Sequence, residues 1–235
     1  RDYYASRGLG DVYKRQLYDV ADVVTYKPEK SWNYEVGAHL STPSHKVQAD
    51  LALFYIDCRD QQLTVFPEGQ VTGRLMTNAG RTRSFGGEAS LLATLWRNLD
   101  LQVAYGYTRA TFVKFDTGKA DYAGNFIPYA PQHTLYAGAS YTLRTGWNWL
   151  EYVIFRVAAN GAGRIYWNEA NTFSQPFYAL LEASIRFEHR HWAVDVWGRN
   201  LTDTRYDTFY FMSIGNSFLQ RGRPRTFGVS LSITL

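Results

Sequence analysis

The stretch QRGRPRTFGVSLSITL (Gln220–Leu235) closes the chain, and from Phe227 onward it alternates without a break. Phe227, Val229, Leu231, Ile233 and Leu235 fall on one side of an extended backbone; Gly228, Ser230, Ser232 and Thr234 fall on the other. A period of two, one side apolar and the other small and polar, marks a β-strand whose faces meet different surroundings. The sequence stops on a strand residue, so this strand is expected to lie where a sheet closes on itself.

The same alternation recurs upstream. Trp32, Tyr34, Val36, Ala38 and Leu40 form one apolar series, and Val47, Ala49, Leu51, Leu53 and Tyr55 the next. Further series run from Phe85 to Leu95, Leu101 to Tyr107, Leu135 to Leu143, Val153 to Val157, Phe177 to Phe187 and Trp192 to Val196. Their connections differ in length by turns. TPSH (Thr42–His45), WRNLD (Trp96–Asp100), RTGWN (Arg144–Asn148) and EHRH (Glu188–His191) are short, and PEGQ (Pro67–Gln70) lies in a less marked long one. Residues 116–130, 161–175 and 202–220 make longer connections. Tight turns at one end and long loops at the other describe an up-and-down membrane barrel. Trp96, Trp147, Trp149 and Trp192 all sit at the short turns, as an interfacial aromatic girdle requires.

Composition agrees. Aromatic residues make up 17% of the chain, with 18 Tyr and 7 Trp. The longest apolar run, Leu51 to Ile56, is far below the roughly 18 residues of a helical span. A formal charge of +4, spread along the sequence rather than clustered in it, argues against a nucleic-acid-binding surface. Cys58 is alone, so no disulfide forms within the chain. His189 and His191 lack further ligands, so no metal site is expected. Gly161 and Gly163 lack the Lys-Ser/Thr of a phosphate loop. No catalytic grouping of carboxylates or of Ser, His and Asp is present, which argues against an enzyme.

The fold class expected is therefore all-β: a partial antiparallel up-and-down transmembrane β-barrel of about nine strands. An open edge in a bilayer would leave backbone groups unpaired, so more strands are expected upstream. Residues 1–16 are expected to be non-native, because RGLGDVYKRQ (Arg7–Gln16) resembles a translated sequencing-library adapter.

Six blocks then occur in order: KPEKSWNYEVG (Lys27–Gly37), LALFYIDCRDQQ (Leu51–Gln62), NAGRTRSFGGEAS (Asn78–Ser90), FIPYAPQHT (Phe126–Thr134), WGRNLTDTRY (Trp197–Tyr206) and GRPRTFGVSLSITL (Gly222–Leu235). Together they resemble the C-terminal part of the barrel of TonB-dependent outer-membrane receptors, over residues 17–235. The resemblance implies a 22-stranded barrel closed by an N-terminal plug that lies outside this sequence. It implies an outer-membrane protein that binds a scarce extracellular ligand, such as a ferric siderophore, and imports it with energy delivered by TonB through the plug. Outer-membrane lipid, TonB and the small ligand are the partners expected; nucleic acid is not. Such barrels commonly end on Phe or another aromatic, whereas this one ends on Leu235. A passive porin or diffusion channel is the alternative.

Charged residues at alternate strand positions would be costly facing lipid. Glu35, Glu88, Arg156, Glu182, Arg186, Asp195 and Arg199 are therefore expected in the lumen, facing one another or the plug. Ligand contacts are expected from the aromatic and polar long loops: Tyr166, Trp167, Asn168 and Asn171 in one, and Tyr206, Phe209, Tyr210 and Arg221 in the next. The Arg221 segment RGRPR is expected at the start of the last strand, where it would steer an anionic ligand.

Overall fold

The structure, a computed structural model, describes residues 27–65, 75–96, 98–116, 120–213 and 216–234. The expected non-native residues 1–16, the PEGQ segment and the terminal Leu235 lie outside the described residues.

The described residues form thirteen strands: β1 (Lys30–Ser41), β2 (Val47–Val65), β3 (Leu75–Leu95), β4 (Leu99–Lys114), β5 (His133–Trp147), β6 (Leu150–Gly163), β7 (Ile165–Tyr166), β8 (Ser174–Gln175), β9 (Tyr178–His189), β10 (Trp192–Arg199), β11 (Asp207–Ser213), β12 (Asn216–Arg221) and β13 (Thr226–Ile233). Nine of them form one antiparallel sheet in the order β1-β2-β3-β4-β5-β6-β9-β10-β13. Each strand pairs with its sequence neighbour in the sheet, so the meander is up-and-down throughout. The sheet is open, with β1 and β13 as its edges. The other four strands make two small hairpins, β7-β8 and β11-β12, inside long connections.

Two departures from the sequence reading have local causes. Strand β3 begins at Leu75, well before the series read from Phe85, because LMTNAGRTR has no clean period of two; it pairs with β2 from Val47↔Ala93 to Val65↔Leu75, so this hairpin projects beyond its neighbours. Residues 202–220, expected as one long connection, contain the β11-β12 hairpin. Its aromatic run lacks a clean period of two, so the alternation that reveals the other strands is missing there. As a result Arg221 ends β12, paired with Asp207, and does not begin the last strand.

Register fixes the two faces. One row crosses the whole sheet from β2 as Val47–Ala93–Leu101–Ala139–Val157–Ala183–Gly198–Phe227. A second runs Leu95–Leu99–Tyr141–Phe155–Ile185–Val196–Val229. These belong to an outward face that is apolar and exposed: Val36 is 67% exposed, Leu53 54% and Val229 69%. The band from Phe85 to Leu95, at about 3.3 Å per residue and tilted about 40°, stands about 25 Å tall, the height of a barrel's lipid-facing belt. At the short-turn end Trp96, Trp147 and Trp149 are exposed, and the last two stack at 5.3 Å.

The opposite face is polar. Its rows include Asp100–Ser140–Arg156–Ser184–Trp197–Gly228 and Thr142–Ile154–Arg186–Asp195–Ser230. The Trp197 ring lies flat over its partner Gly228: a Cβ there would come within 2.2 Å of the indole. The indole N–H then reaches the Ser230 hydroxyl at 3.2 Å.

Candidate functional site

All seven charged residues expected in the lumen share the inward face. Glu35 and Glu88 stand towards the β1 edge. Arg156, Glu182, Asp195 and Arg199 line a depression that runs from β3 and β4 across to β13. Few of these charges pair with one another. Glu182 accepts from the Asn160 amide at 2.7 Å, Arg186 donates to Glu188 at 2.8 Å, and the Arg199 guanidinium lies 4.9 Å over the Trp197 ring. Asp195 stands directly opposite Arg186, yet its Oδ1 is shielded from solvent and has no hydrogen-bond partner. Further along the face Asp50 accepts from Ser90 at 3.0 Å and lies 2.6 Å from the His39 ring nitrogen.

The second candidate region is the loop layer above the sheet, built from the described residues of three connections, 115–132, 164–177 and 200–225. The first of these folds back over the top of β4. Phe112 and Phe115 are almost wholly buried, with Tyr122 and Ile127 packed on them. Backbone bonds Phe112 N–H to Asn125 O (2.9 Å) and Tyr122 N–H to Phe115 O (2.9 Å) hold the turn.

Side chains of one loop then grip the backbone of another. Asn171, with φ 55°, accepts from the Phe126 N–H at 2.6 Å and donates back to the Phe126 carbonyl at 2.9 Å, completing a strand-like bridge with an amide side chain. Gln175, buried, accepts from the Asp207 N–H at 2.8 Å. The Tyr129 hydroxyl donates to the Tyr210 carbonyl at 2.8 Å, and its ring lies between Trp167 (5.4 Å) and Phe209 (5.6 Å). Asn200, 4% exposed and at φ 50°, donates to the Thr204 and Arg223 carbonyls at 3.0 and 3.1 Å and accepts from the Thr204 N–H at 2.8 Å. Asp203 accepts from the Arg225 N–H at 3.0 Å. Tyr206 stacks on Tyr178 at 4.5 Å and covers Gly222, where a Cβ would lie 2.0 Å from the phenol ring.

This layer divides the expected ligand residues. Trp167 (7% exposed) and Tyr210 (6%) are buried, their rings taken up by Tyr129 and Phe173, so they build the layer from beneath. Asn168 spends its side chain within its own loop, accepting from the Thr172 and Phe173 N–H groups, and Asn171 is the clamp to Phe126. Tyr166 stacks on Phe126 at 5.2 Å. Tyr206 and Phe209 keep partly open rings, and Arg221 is exposed. Sequence reasoning missed Asn200 and Gln175. The signal for Asn200 was an Asn followed three residues later by an Asp, both types that tolerate left-handed backbone.

Burial pushes the carboxyl of Glu169 up, in the loop that Asn125 reaches through the Glu169 carbonyl. Among the described residues no three His, Cys, Asp or Glu side chains come together as metal ligands. His189 and His191 lie 5.8 Å apart at a turn. No helix among the described residues is long and apolar enough to cross a membrane, which says nothing of crossing by strands.

Residues 3–201 match the sequence profile of the TonB dependent receptor-like β-barrel family. The pesticin receptor of Yersinia pestis is 28% identical over 94% of this chain and 32% of its own length. The ferric yersiniabactin uptake receptor of Yersinia pestis superposes with a TM-score of 0.74 at 25% identity, over 88% of this chain and 30% of that one. A siderophore receptor of Acinetobacter baumannii shares the fold at 18% identity and TM-score 0.69, over 90% of this chain and 29% of that one. The chain thus spans about a third of the length of the curated relatives it matches.

Proposed function

The chain belongs to the TonB-dependent receptor β-barrel family, and from that premise we propose that it forms the C-terminal side of a 22-stranded outer-membrane barrel that imports a ferric siderophore. The observation that carries this reading is the family match over residues 3–201, together with a nine-stranded sheet whose outward face carries a continuous apolar belt. Energy would arrive through TonB, acting on a plug held against the inward face. Glu35, Glu88, Arg156, Glu182, Arg186, Asp195 and Arg199 are the charges available to that plug.

The ligand would settle on the loop layer. Tyr206, Phe209 and Arg221 offer it rings and a cation, while Trp167, Asn168, Asn171 and Tyr210 hold the platform in shape. A rigid platform suits binding, because little conformational entropy is lost when the ligand docks.

The test is uptake of radiolabelled ferric siderophores by cells that carry the intact gene as their only such receptor. TonB-coupled import predicts accumulation that disappears in a tonB deletion and on adding an uncoupler. Uptake indifferent to both would refute energy coupling and leave a passive pore.

A further inference from the structure

On the outward face, β1 to β4 carry a graded series of rows rising from the apolar belt towards the loop end. Val36–Leu53–Gly87–Tyr107 is followed by Tyr34–Tyr55–Phe85–Arg109, then Trp32–Asp57–Arg83–Thr111, then Lys30–Arg59–Arg81–Lys114. The last row sets four cations directly across from one another on four adjacent strands. With strands about 4.8 Å apart, it spans about 14 Å. Arg83 and Arg109 lie just below it, so six cations crowd one small area.

Asp57, in the row below, is paired with one of them. It is engaged by Arg81, whose Nε lies 3.0 and 3.1 Å from its two oxygens and whose Nη2 also contacts it. Arg109 lies 5.6 Å over the Phe126 ring. Lys30, Arg59, Arg83 and Lys114 are exposed. On β5, β6, β9, β10 and β13 the strand residues that face outward include no Lys or Arg, so the patch is confined to one sector of the wall.

Like charges placed directly opposite one another on adjacent strands destabilise a sheet. A row of four is therefore an arrangement that calls for anions. The row stands immediately above the aromatic row Tyr34–Tyr55–Phe85, at the height where apolar chains give way to headgroups. Lys and Arg stems can lie along the rings below while their charged ends reach outward. We propose that this sector binds a multiply phosphorylated lipid headgroup of the surrounding leaflet, with Lys30, Arg59, Arg83 and Lys114 as its phosphate contacts. This rests on the reading that the outward face meets lipid. It adds a specific lipid site to a wall that otherwise offers only apolar contact.

The test uses the intact outer-membrane protein carrying this chain, purified in detergent and presented with lipid A bearing two phosphates or with the same lipid dephosphorylated. Bound lipid is counted by native mass spectrometry. The expected result is at least a tenfold preference for the phosphorylated lipid, lost in the Arg59→Gln/Arg83→Gln/Lys114→Gln variant and kept in Arg190→Gln, which lies at the short-turn end. Equal retention of the two lipids, or a triple variant that keeps the preference, overturns the proposal. So does full release by 10 mM inorganic phosphate without dependence on the acyl chains, which would assign the row to a free anion. If the triple variant does not fold, the wild-type preference is measured at 50 and 300 mM salt. Phosphate contacts require it to fall steeply with salt, and a flat response overturns them. Failure of the wild-type protein to insert into phospholipid vesicles would instead remove the membrane reading itself, and this site with it.

Discussion

Replacing Asn200 by Ala should release the last long loop from the barrel wall. The side chain makes three hydrogen bonds, two to carbonyls and one from an N–H, from a residue only 4% exposed. At about 1 kcal/mol each these amount to about 3 kcal/mol. The backbone at φ 50° adds about 1 kcal/mol once Ala must adopt it. A local loss of about 4 kcal/mol corresponds to about three decades in the opening equilibrium. Hydrogen exchange read by mass spectrometry over residues 201–225 in the intact protein is the assay, with the Thr204 and Arg225 amides as the most direct reporters. Asn200→Gly separates the two contributions: it relieves the backbone but not the bonds, so protection should fall by about two decades. Exchange within threefold of wild type in both variants would show that Asn200 does not hold the loop, and the clamp account would fail.

Three further outcomes follow from the same geometry. Val157→Arg, at mid-height on the outward face, should destabilise the inserted protein by about 2–4 kcal/mol in urea titrations in vesicles, whereas Ala158→Arg on the inward face should cost far less; equal costs would refute the assignment of faces. Gly222→Ala drives a methyl into the Tyr206 ring and should cost about 1–3 kcal/mol, with faster proteolysis of the loop after β10, while Tyr206→Ala in the same background should restore part of the loss. Glu169 has its folded pKa raised by burial, so the stability it contributes is full below the ordinary carboxylate value and is lost as pH rises through the folded value. Glu169→Gln should therefore resist protease better than wild type at pH 7, the two converging near pH 4; no difference at pH 7 would show that burial there carries no penalty.

The strands and their faces were legible because period-two alternation is local: Phe227, Val229, Leu231 and Ile233 announce their side without knowing their neighbours. The same holds for the alternation of short and long connections, which gave the two ends of the sheet. The loop layer was not legible, since what buries Trp167 and Tyr210 are rings from other loops, brought close only by the fold. The β11-β12 hairpin was hidden by an aromatic run with no clean alternation. The cationic row required register: Lys30, Arg59, Arg81 and Lys114 are scattered in sequence and become neighbours only when four strands are aligned. Motifs such as WGRNLTDTRY were visible as a family resemblance, but their physical content, an Asn and an Asp gripping the backbone before the last strand, lies in three dimensions.

Each inter-loop clamp has a side chain on one side and plain backbone on the other. Asn171 grips Phe126, Gln175 grips Asp207, Tyr129 grips Tyr210 and Asn200 grips Arg223, in every case through the recipient's N–H or carbonyl alone. At Asp207 and Arg223 the side chain can thus change without loosening the grip, save for proline at Asp207, where the N–H is needed. The rings of Phe126 and Tyr210 are held by other contacts as well. A lineage can therefore drift at Asp207 and Arg223, trying new surfaces towards new cargo, while the scaffold beneath keeps its shape. The gripping residues carry the opposite burden: a change in Asn171, Gln175 or Tyr129 would be felt by two loops at once, and one in Asn200 by both ends of the last loop.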